Sequence, residues 1–491
     1  MADVTVFRDG KKYSYTFTPP MPLDRVLEEL GLQIPHPCGG RGKCGKCAVS
    51  LAGDVSAPCE AELQRGIRLS CMTVLQGDCT VYLPDSSDME QIELSGAATG
   101  SAPMDGTCAA AVDIGTTTLA LALYDLRTGK LLAQTSMANP QGAVAADVIG
   151  RIQAAMHGSL EKLCSMIQSA IGILLNQACA KAGIPDSDVD LLILTGNTTM
   201  LYLLVNRDPS SLSCAPFQAD TLFGQETQIL GRRTYLPPCM NAFVGADITC
   251  AVLASGMCQH PETSLLCDIG TNGELALWKD GRLYVTSTAA GPAFEGAGIS
   301  CGCGSIRGAV DRARAEDGKL TIHTIADAPV AGVCGSGLID LIAAGLELEE
   351  IDETGAMDAP LEIGNDVALQ KADIRAVQLA KAAIAAGMRT MMKAAGITPA
   401  EISQLYIAGG FGSHLNIESA VAIGLIPEEF LDKVTVIGNG SLTGSSMMLL
   451  DRNLQQQAAA IAENSTHVNL GGNPVFNEQY IEQMFFPEPE Y

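Results

Sequence analysis

Positive charge is the scarcest feature of this sequence. Among 491 residues, 30 Lys and Arg face 55 Asp and Glu, a formal net charge of -25. Nonspecific nucleic-acid binding needs clustered cations to displace counterions, so no nucleic-acid partner is expected. Charge of either sign is sparse: charged residues make up 17% against 47% hydrophobic, a balance that excludes wholesale disorder and fits globular domains. No run of about 18 uncharged apolar residues occurs, and MADVTVFRDGKKYSYT has no cationic start followed by an apolar stretch. The expectation is a soluble cytoplasmic protein without a membrane partner, about three domains long at roughly 150 residues each. Two phosphate signatures are also missing. No G-x-x-x-x-G-K-S/T occurs, and no G-x-G-x-x-G opens a helix after a strand, which sets aside P-loop enzymes and dinucleotide folds.

Cysteine is too rare for a secreted disulfide scaffold: 17 residues, about 3.5%, against roughly 8–10%. In a reducing compartment most should be small buried hydrophobes, so those with ligand spacing stand out. Val4 to Phe7 alternate, Asp9-Gly10 signals a hairpin turn, and Tyr13 to Phe17 alternate again before an amphipathic stretch from Pro22 to Leu30 closed by Gly31. After these two strands and a helix comes HPCGGRGKCGKCAV. Cys38, Cys44 and Cys47 are spaced C-x5-C-x2-C, and Cys71 follows 23 residues later. Three thiolates in a glycine-rich loop with a distant fourth suit a 2Fe–2S cluster, one residue away from the plant-type C-x4-C-x2-C. Four thiolates also suit zinc, but structural zinc usually takes two CxxC knuckles and here there is one. Cys59 and Cys79 fall outside the frame as packing residues. The cations Arg41, Lys43, Lys46, Arg65 and Arg68 either offset the cluster's charge or form a solvated face.

Residues 1–84 thus resemble ferredoxin domains of adrenodoxin-like spacing. Residues 85–108, DSSDMEQIELSGAATGSAPMDGTC, lack periodicity and read as a flexible linker. A chain of that length spans about 25 Å, against a radius of gyration of about 21 Å expected for the remainder. The first domain could then swing between an electron-receiving and an electron-delivering position.

In the body, AAAVDIGTTTLALALYDLRTGK (109–130) reads as strand, turn and strand, with the turn at Asp113-Ile114-Gly115-Thr116-Thr117-Thr118. The pattern returns in SLLCDIGTNGELALWKDGRL (264–283), with Asp268-Ile269-Gly270-Thr271-Asn272-Gly273-Glu274 in the same place. Two D-I-G-T hairpins 155 residues apart imply a duplicated domain, divided here as 109–262 and 263–491. Glycine lets backbone N–H groups and hydroxyls approach phosphate, while an aspartate at each turn faces Mg2+ directly or through water. A third element, QLYIAGGFGSHLNIESAVAIGLIP (404–427), puts Gly409-Gly410 between a strand and a helix, where a flat base or ribose can lie against the backbone. ADIRAVQLAKAAIAAGMRTMMKAAG predicts an amphipathic helix from about Asp373 to Ala395.

Two phosphate hairpins and a glycine turn resemble the superfamily of acetate and sugar kinases, heat-shock chaperone ATPases and actin. With an N-terminal ferredoxin domain the resemblance narrows to the reductive activators of corrinoid-dependent enzymes. NPQGAVAADVIGRI, GNTTM, FVGADI, DIGTNGE, AGPAFEGAG, CGSGLID, DIRAVQLAKAAI and IAGGFG are similar to that family's signatures. The resemblance implies an α/β and α+β multidomain chain: a β-grasp ferredoxin domain, then a duplicated actin-like, ribonuclease H-like ATPase body. It implies ATP and Mg2+ beside the cluster, with Asp113, Gly115, Thr116, Thr117 and Thr118 in the first phosphate loop. Asp268, Gly270, Thr271, Asn272 and Gly273 would form the second, and Gly409 and Gly410 would sit at the adenosine. Asp268 and Glu274 are candidates to position Mg2+ or the attacking water. The client implied is a corrinoid protein of a methyltransferase or demethylase system, with a low-potential electron donor and a homodimer left open. The C-x-C at Cys301 and Cys303 departs from the family's expected pattern and reads as small buried thiols.

Returning Co(II) to Co(I) from a cluster near about -400 mV is uphill. A gap of about 200 mV costs about 5 kcal/mol for one electron, which ATP would cover. Two other readings stay open: a redox-sensing nucleotide-binding module without a corrinoid client, and an activator of a 2-hydroxyacyl-CoA dehydratase, which resembles the body but uses an intersubunit cluster and lacks a ferredoxin domain. A small-molecule kinase of the same superfamily has no use for a fused 2Fe–2S domain.

Overall fold

The computed structural model describes residues 1–8, 11–30, 32, 47–65, 67–83, 106–410 and 415–487. Cys38, Cys44, the Asp9-Gly10 turn, nearly all of the 85–108 segment and Phe411-Gly412 of the third glycine turn lie outside them.

Alternation sets the first sheet. Val4 and Val6 are fully buried along strand Ala2–Arg8, which pairs antiparallel with Lys11–Phe17 and parallel with Val74–Tyr82. Ala48–Val55 and Arg68–Leu69 extend the sheet beyond Val74–Tyr82. Helix Leu23–Glu29 buries Leu23, Val26 and Leu27 in the same core, the mixed-sheet-and-helix arrangement of a β-grasp domain.

The body repeats one sheet twice. In the first, the order is Gln225–Ile229, Arg232–Leu236, Val189–Gly196, Cys108–Ile114, Thr118–Asp125 and Lys130–Ala138. In the second it is Val434–Gly438, Gln404–Ala408, Ser264–Ile269, Gly273–Lys279, Arg282–Thr288 and Ser465–His467. In both, the D-I-G-T strand runs centrally, antiparallel to the hairpin strand that follows it and parallel to a strand arriving through a helical crossover. The central strands are apolar nearly throughout, as strands covered on both faces must be. Helix Leu160–Ala182 covers the first sheet with Leu163, Ile167, Ile171 and Leu174. By length and composition the stretch Val148–Ala182 could cross a membrane, but half of its apolar window is buried in the body and Gly158, at φ +92, interrupts it.

Helix Lys371–Ala395 covers the second sheet and stops at Gly396, whose φ of +67 suits a left-handed cap. Late in the chain, helix Gly440–Leu450 packs on helix Ala246–Ser255 of the first lobe. Its Leu442, Met448 and Leu449 share a core with Ala109, Ala111 and Leu191, so residues from the chain's end complete the first lobe. Cys303 is buried against Gly332 in a small cluster with Ala309 and Cys334, a packing position.

Candidate nucleotide cleft and cluster site

The first D-I-G-T turn is closed by its glycine. The Gly115 N–H donates to the Thr118 carbonyl at 3.0 Å, and a Cβ on Gly115 would lie 2.6 Å from that same oxygen. In the second turn the Gly270 N–H donates to the Asn272 carbonyl at 3.1 Å. Both glycine amides are therefore occupied within the turns. The side-chain chemistry of the loops lies in their threonines and the carboxylates beside them. Thr118 already belongs to the following strand. Gly273 serves packing, since a Cβ there would meet Ile384 Cγ1 and Thr288 Oγ1 at 2.7 Å each.

Four carboxylates from four elements are electrostatically coupled. Asp113 ends a central strand, Asp247 lies in the first turn of helix Ala246–Ser255, Asp268 ends the second central strand, and Glu274 faces Asp268 across the antiparallel ladder. Like charges directly opposite in a sheet are destabilising, so this pair is not there for stability. The carboxyls keep some accessible surface, yet protein encloses them well enough that desolvation dominates their titration. Burial, then the Asp113 charge, pushes Asp268 up to about 7. Burial, Asp113 and Asp268 push Asp247 up to about 8. Burial with Asp247 and Asp268 drives Glu274 well above the ordinary range. Burial raises Asp113 too, opposed by hydrogen bonds from Asn439 Nδ2 and Ser441 Oγ, each at 2.9 Å.

Such a set fits a cation. Among the described residues no three His, Cys, Asp or Glu side chains converge closely enough to hold a metal ion by themselves. The arrangement suits Mg2+, which keeps several waters and takes its remaining ligands from one or two carboxylates and nucleotide phosphates. Behind the first loop lies a compensating charge. Arg151 is 1% exposed and donates to the carbonyls of Thr116 (2.6 Å) and Ala145 (3.0 Å), to Gln141 Oε1 (3.2 Å) and towards Met200 Sδ, with no ion pair among the described residues. Burial lowers its pKa to about 10, which leaves it charged at neutral pH.

Of the third glycine turn, Gly409 has φ +96, and a Cβ would lie 2.7 Å from Asp268 Oδ1 and 2.8 Å from the Ile269 carbonyl. It therefore lies against the second D-I-G-T loop, and only glycine fits there. Gly410 is exposed beside it in the turn. Sequence reasoning did not single out Asp247, Glu295, Asn439, Ser441 or Arg151 as functional. The available signal was in FVGADI, AGPAFEGAG, the strand-glycine junction VTVIGNGSLTG and NPQGAVAADVIGRI, each of which places one or two of them beside a loop.

In the N-terminal domain, Cys47 Sγ and Cys71 Sγ are 3.3 Å apart. That is too far for a disulfide, near 2.0 Å, and close enough for one metal atom about 2.3 Å from each thiolate. The Ser70 N–H donates to the Cys47 carbonyl at 2.9 Å and ties the turn before strand Ala48–Val55, which carries Cys47, to the 3-10 turn Ser70–Met72, which carries Cys71. These two positions fit the cluster; Cys38 and Cys44 are not among the described residues. Arg68 is bound to buried Glu62, 3.1 Å away, and does not form part of a solvated face.

Family models match three contiguous parts of the chain. Residues 6–76 match a 2Fe-2S iron-sulfur cluster binding domain, 108–260 the RACo middle region, and 262–491 the C-terminal domain of RACo, the ASKHA domain. The corrinoid activation enzyme RamQ of Eubacterium limosum is 35% identical over 416 residues, 77% of this chain and 70% of that one. A Co(II) methylated amine-specific corrinoid protein reductase of Methanosarcina barkeri is 26% identical over 338 residues, 60% of this chain and 62% of that one. A solved reductive activator for corrinoid, iron-sulfur protein superposes with a TM-score of 0.72 at 27% identity, covering 99% of this chain and 98% of its own.

Proposed function

The chain belongs to the RACo family, joining a 2Fe–2S ferredoxin domain to an ASKHA ATPase body, and on that membership we propose that it is an ATP-dependent reductive activator returning an inactive Co(II) corrinoid protein to Co(I). The observation that carries this reading is the pairing of two D-I-G-T loops, each with a desolvated carboxylate near its strand end and a threonine bonded to Glu295, around one candidate nucleotide cleft. The cluster, when bound by Cys38, Cys44, Cys47 and Cys71, supplies a one-electron donor filled by a low-potential carrier.

The body's own residues do the rest. Thr116, Thr117 and Thr271 offer hydroxyls to the phosphates. Asp113, held by Asn439 and Ser441, and Asp268 would hold Mg2+, which would neutralise charge on the phosphates. Burial and neighbouring carboxylates push Asp268 and Glu274 towards the protonated form; a bound cation would favour their ionised forms, and one of the two carboxylates would orient the attacking water. Gly409 and Gly410 receive the adenosine. ATP then changes the balance of cleft conformations, and with it affinity for the client, by binding one conformation better than the other.

The test is anaerobic. Reduced protein, ATP and Co(II) corrinoid protein should give the Co(I) absorption band, and Asp113→Ala and Asp268→Ala should abolish it while the cluster still reduces. Absence of the band with the unmodified protein would reject the activator reading. ATP-stimulated reduction persisting in both variants would reject the site.

A further inference from the structure

One carboxylate joins the two phosphate loops directly. Glu295 ends the 3-10 turn Pro292–Glu295 of the A-G-P-A-F-E-G segment. Buried Ala293 and Phe294 anchor that turn, and the Gly291 N–H ties it to the Thr271 carbonyl at 2.9 Å. Thr117 Oγ1 of the first loop donates to Glu295 Oε2 at 3.0 Å, and Thr271 Oγ1 of the second donates to Oε1 at 2.9 Å. The threonine matching Thr271 in the repeat is Thr116, whose hydroxyl instead accepts from Asn197 Nδ2 at 3.1 Å. Among the described residues no salt bridge reaches Glu295, so hydroxyls alone hold the anion.

We propose that Glu295 occupies the terminal-phosphate position of the nucleotide-free cleft and that the third phosphate of ATP displaces it. This inference rests on the nucleotide-site reading given above. A carboxylate and a phosphate are both anionic oxygen acceptors, and two hydroxyl donors already committed to one cannot serve the other. Two anions contending for that space also repel each other with little water between them. ADP lacks the third phosphate and leaves the bridge in place; ATP releases it. Release frees the Pro292–Glu295 turn, which Gly291 keeps attached to the second loop. Glu295 is thus a positioning residue through which the body distinguishes ATP from ADP. No bond is made or broken covalently.

Isothermal titration of the full chain with Mg2+ and either ADP or a β,γ-imido analogue of ATP, comparing wild type with Glu295→Gln, tests the proposal. The amide keeps the shape and removes the charge. The affinity ratio of ATP analogue to ADP should rise about tenfold or more, with ADP affinity within about twofold of wild type. An unchanged ratio, weaker binding of the ATP analogue alone, or an equal loss for both nucleotides with a lowered Tm would each overturn it. Failure of wild type to bind either nucleotide would instead overturn the nucleotide site itself. Thermal unfolding of Glu295→Gln without nucleotide, expected within a few degrees of wild type, separates refusal to fold from refusal to bind.

Discussion

Glu62 shows what single side chains do for the cluster domain. Its carboxylate is 1% exposed and accepts from the Leu69 N–H at 2.8 Å, the Cys59 N–H at 2.8 Å and Arg68 Nε at 3.1 Å. Burial alone would raise its pKa, but these partners outweigh burial and hold it below the ordinary value. They also fix the segment that carries Cys71. Glu62→Ala should cost about 3 kcal/mol, the low end for a broken buried pair because Arg68 keeps a fifth of its side chain in water. Denaturant unfolding of the full chain followed by cluster absorbance measures this, and a loss below about 1 kcal/mol would contradict it. The cleft acids give a second expectation. With folded values of about 8 for Asp247 and about 7 for Asp268, the folded protein holds protons that the unfolded chain releases. Stability of the nucleotide-free protein should therefore fall as pH rises from about 4 through 8. Asp247→Asn should flatten that fall. Mg2+ and nucleotide should release protons at pH 7, seen as a binding heat that varies with the buffer's ionisation enthalpy. A buffer-independent heat would count against it.

At the level of elements, glycines decide how closely helices approach their neighbours. In helix Gly440–Leu450 a Cβ on Gly444 would lie 2.0 Å from the Cys250 carbonyl oxygen of helix Ala246–Ser255. Backbone cannot step aside, so Gly444→Ala should push the two helices apart. In helix Lys371–Ala395 a Cβ on Gly387 would meet Leu275 Cδ1 and Thr288 Cγ2 at 2.7 Å, and these side-chain ends can yield. We expect Gly387→Ala to cost about 1 kcal/mol and Gly444→Ala about 3 kcal/mol or more, with Tm as the readout. The reverse order would show that side-chain repacking, not the backbone, limits these contacts. The long helix was legible because its small and apolar residues recur at helical spacing. At 434–444 the residues VTVIGNGSLTG show only a strand followed by glycines.

For the whole molecule, the link from the end of the chain to the first loop matters most. Asn439 and Ser441 lie 326 and 328 residues from Asp113, yet together they hold its carboxylate. Asn439→Ala removes one of those two bonds. Hydrogen bonds to charged groups contribute about 1.5–3 kcal/mol, so ATP-dependent Co(II) reduction should fall at least about tenfold while cluster reduction stays unchanged. Equal rates with and without the amide would show that Asp113 needs no orientation from the second half of the chain.

The D-I-G-T repeat, the cysteine frame and the strand and helix periods were set by local sequence. Turns need glycine, covered strands need apolar residues, and a helical face needs a spacing near 3.6 residues per turn. These determine the duplicated sheets, the ferredoxin hairpin and the two D-I-G-T turns without reference to distant chain. Three things required the tertiary structure. The chain packs its last helices on the first lobe, Asp247 joins Asp113, Asp268 and Glu274 in one electrostatic set, and Glu295 bridges Thr117 to Thr271. Each depends on contacts between segments far apart in sequence, and carboxyl titration depends on the desolvation those contacts impose. No local pattern encodes either.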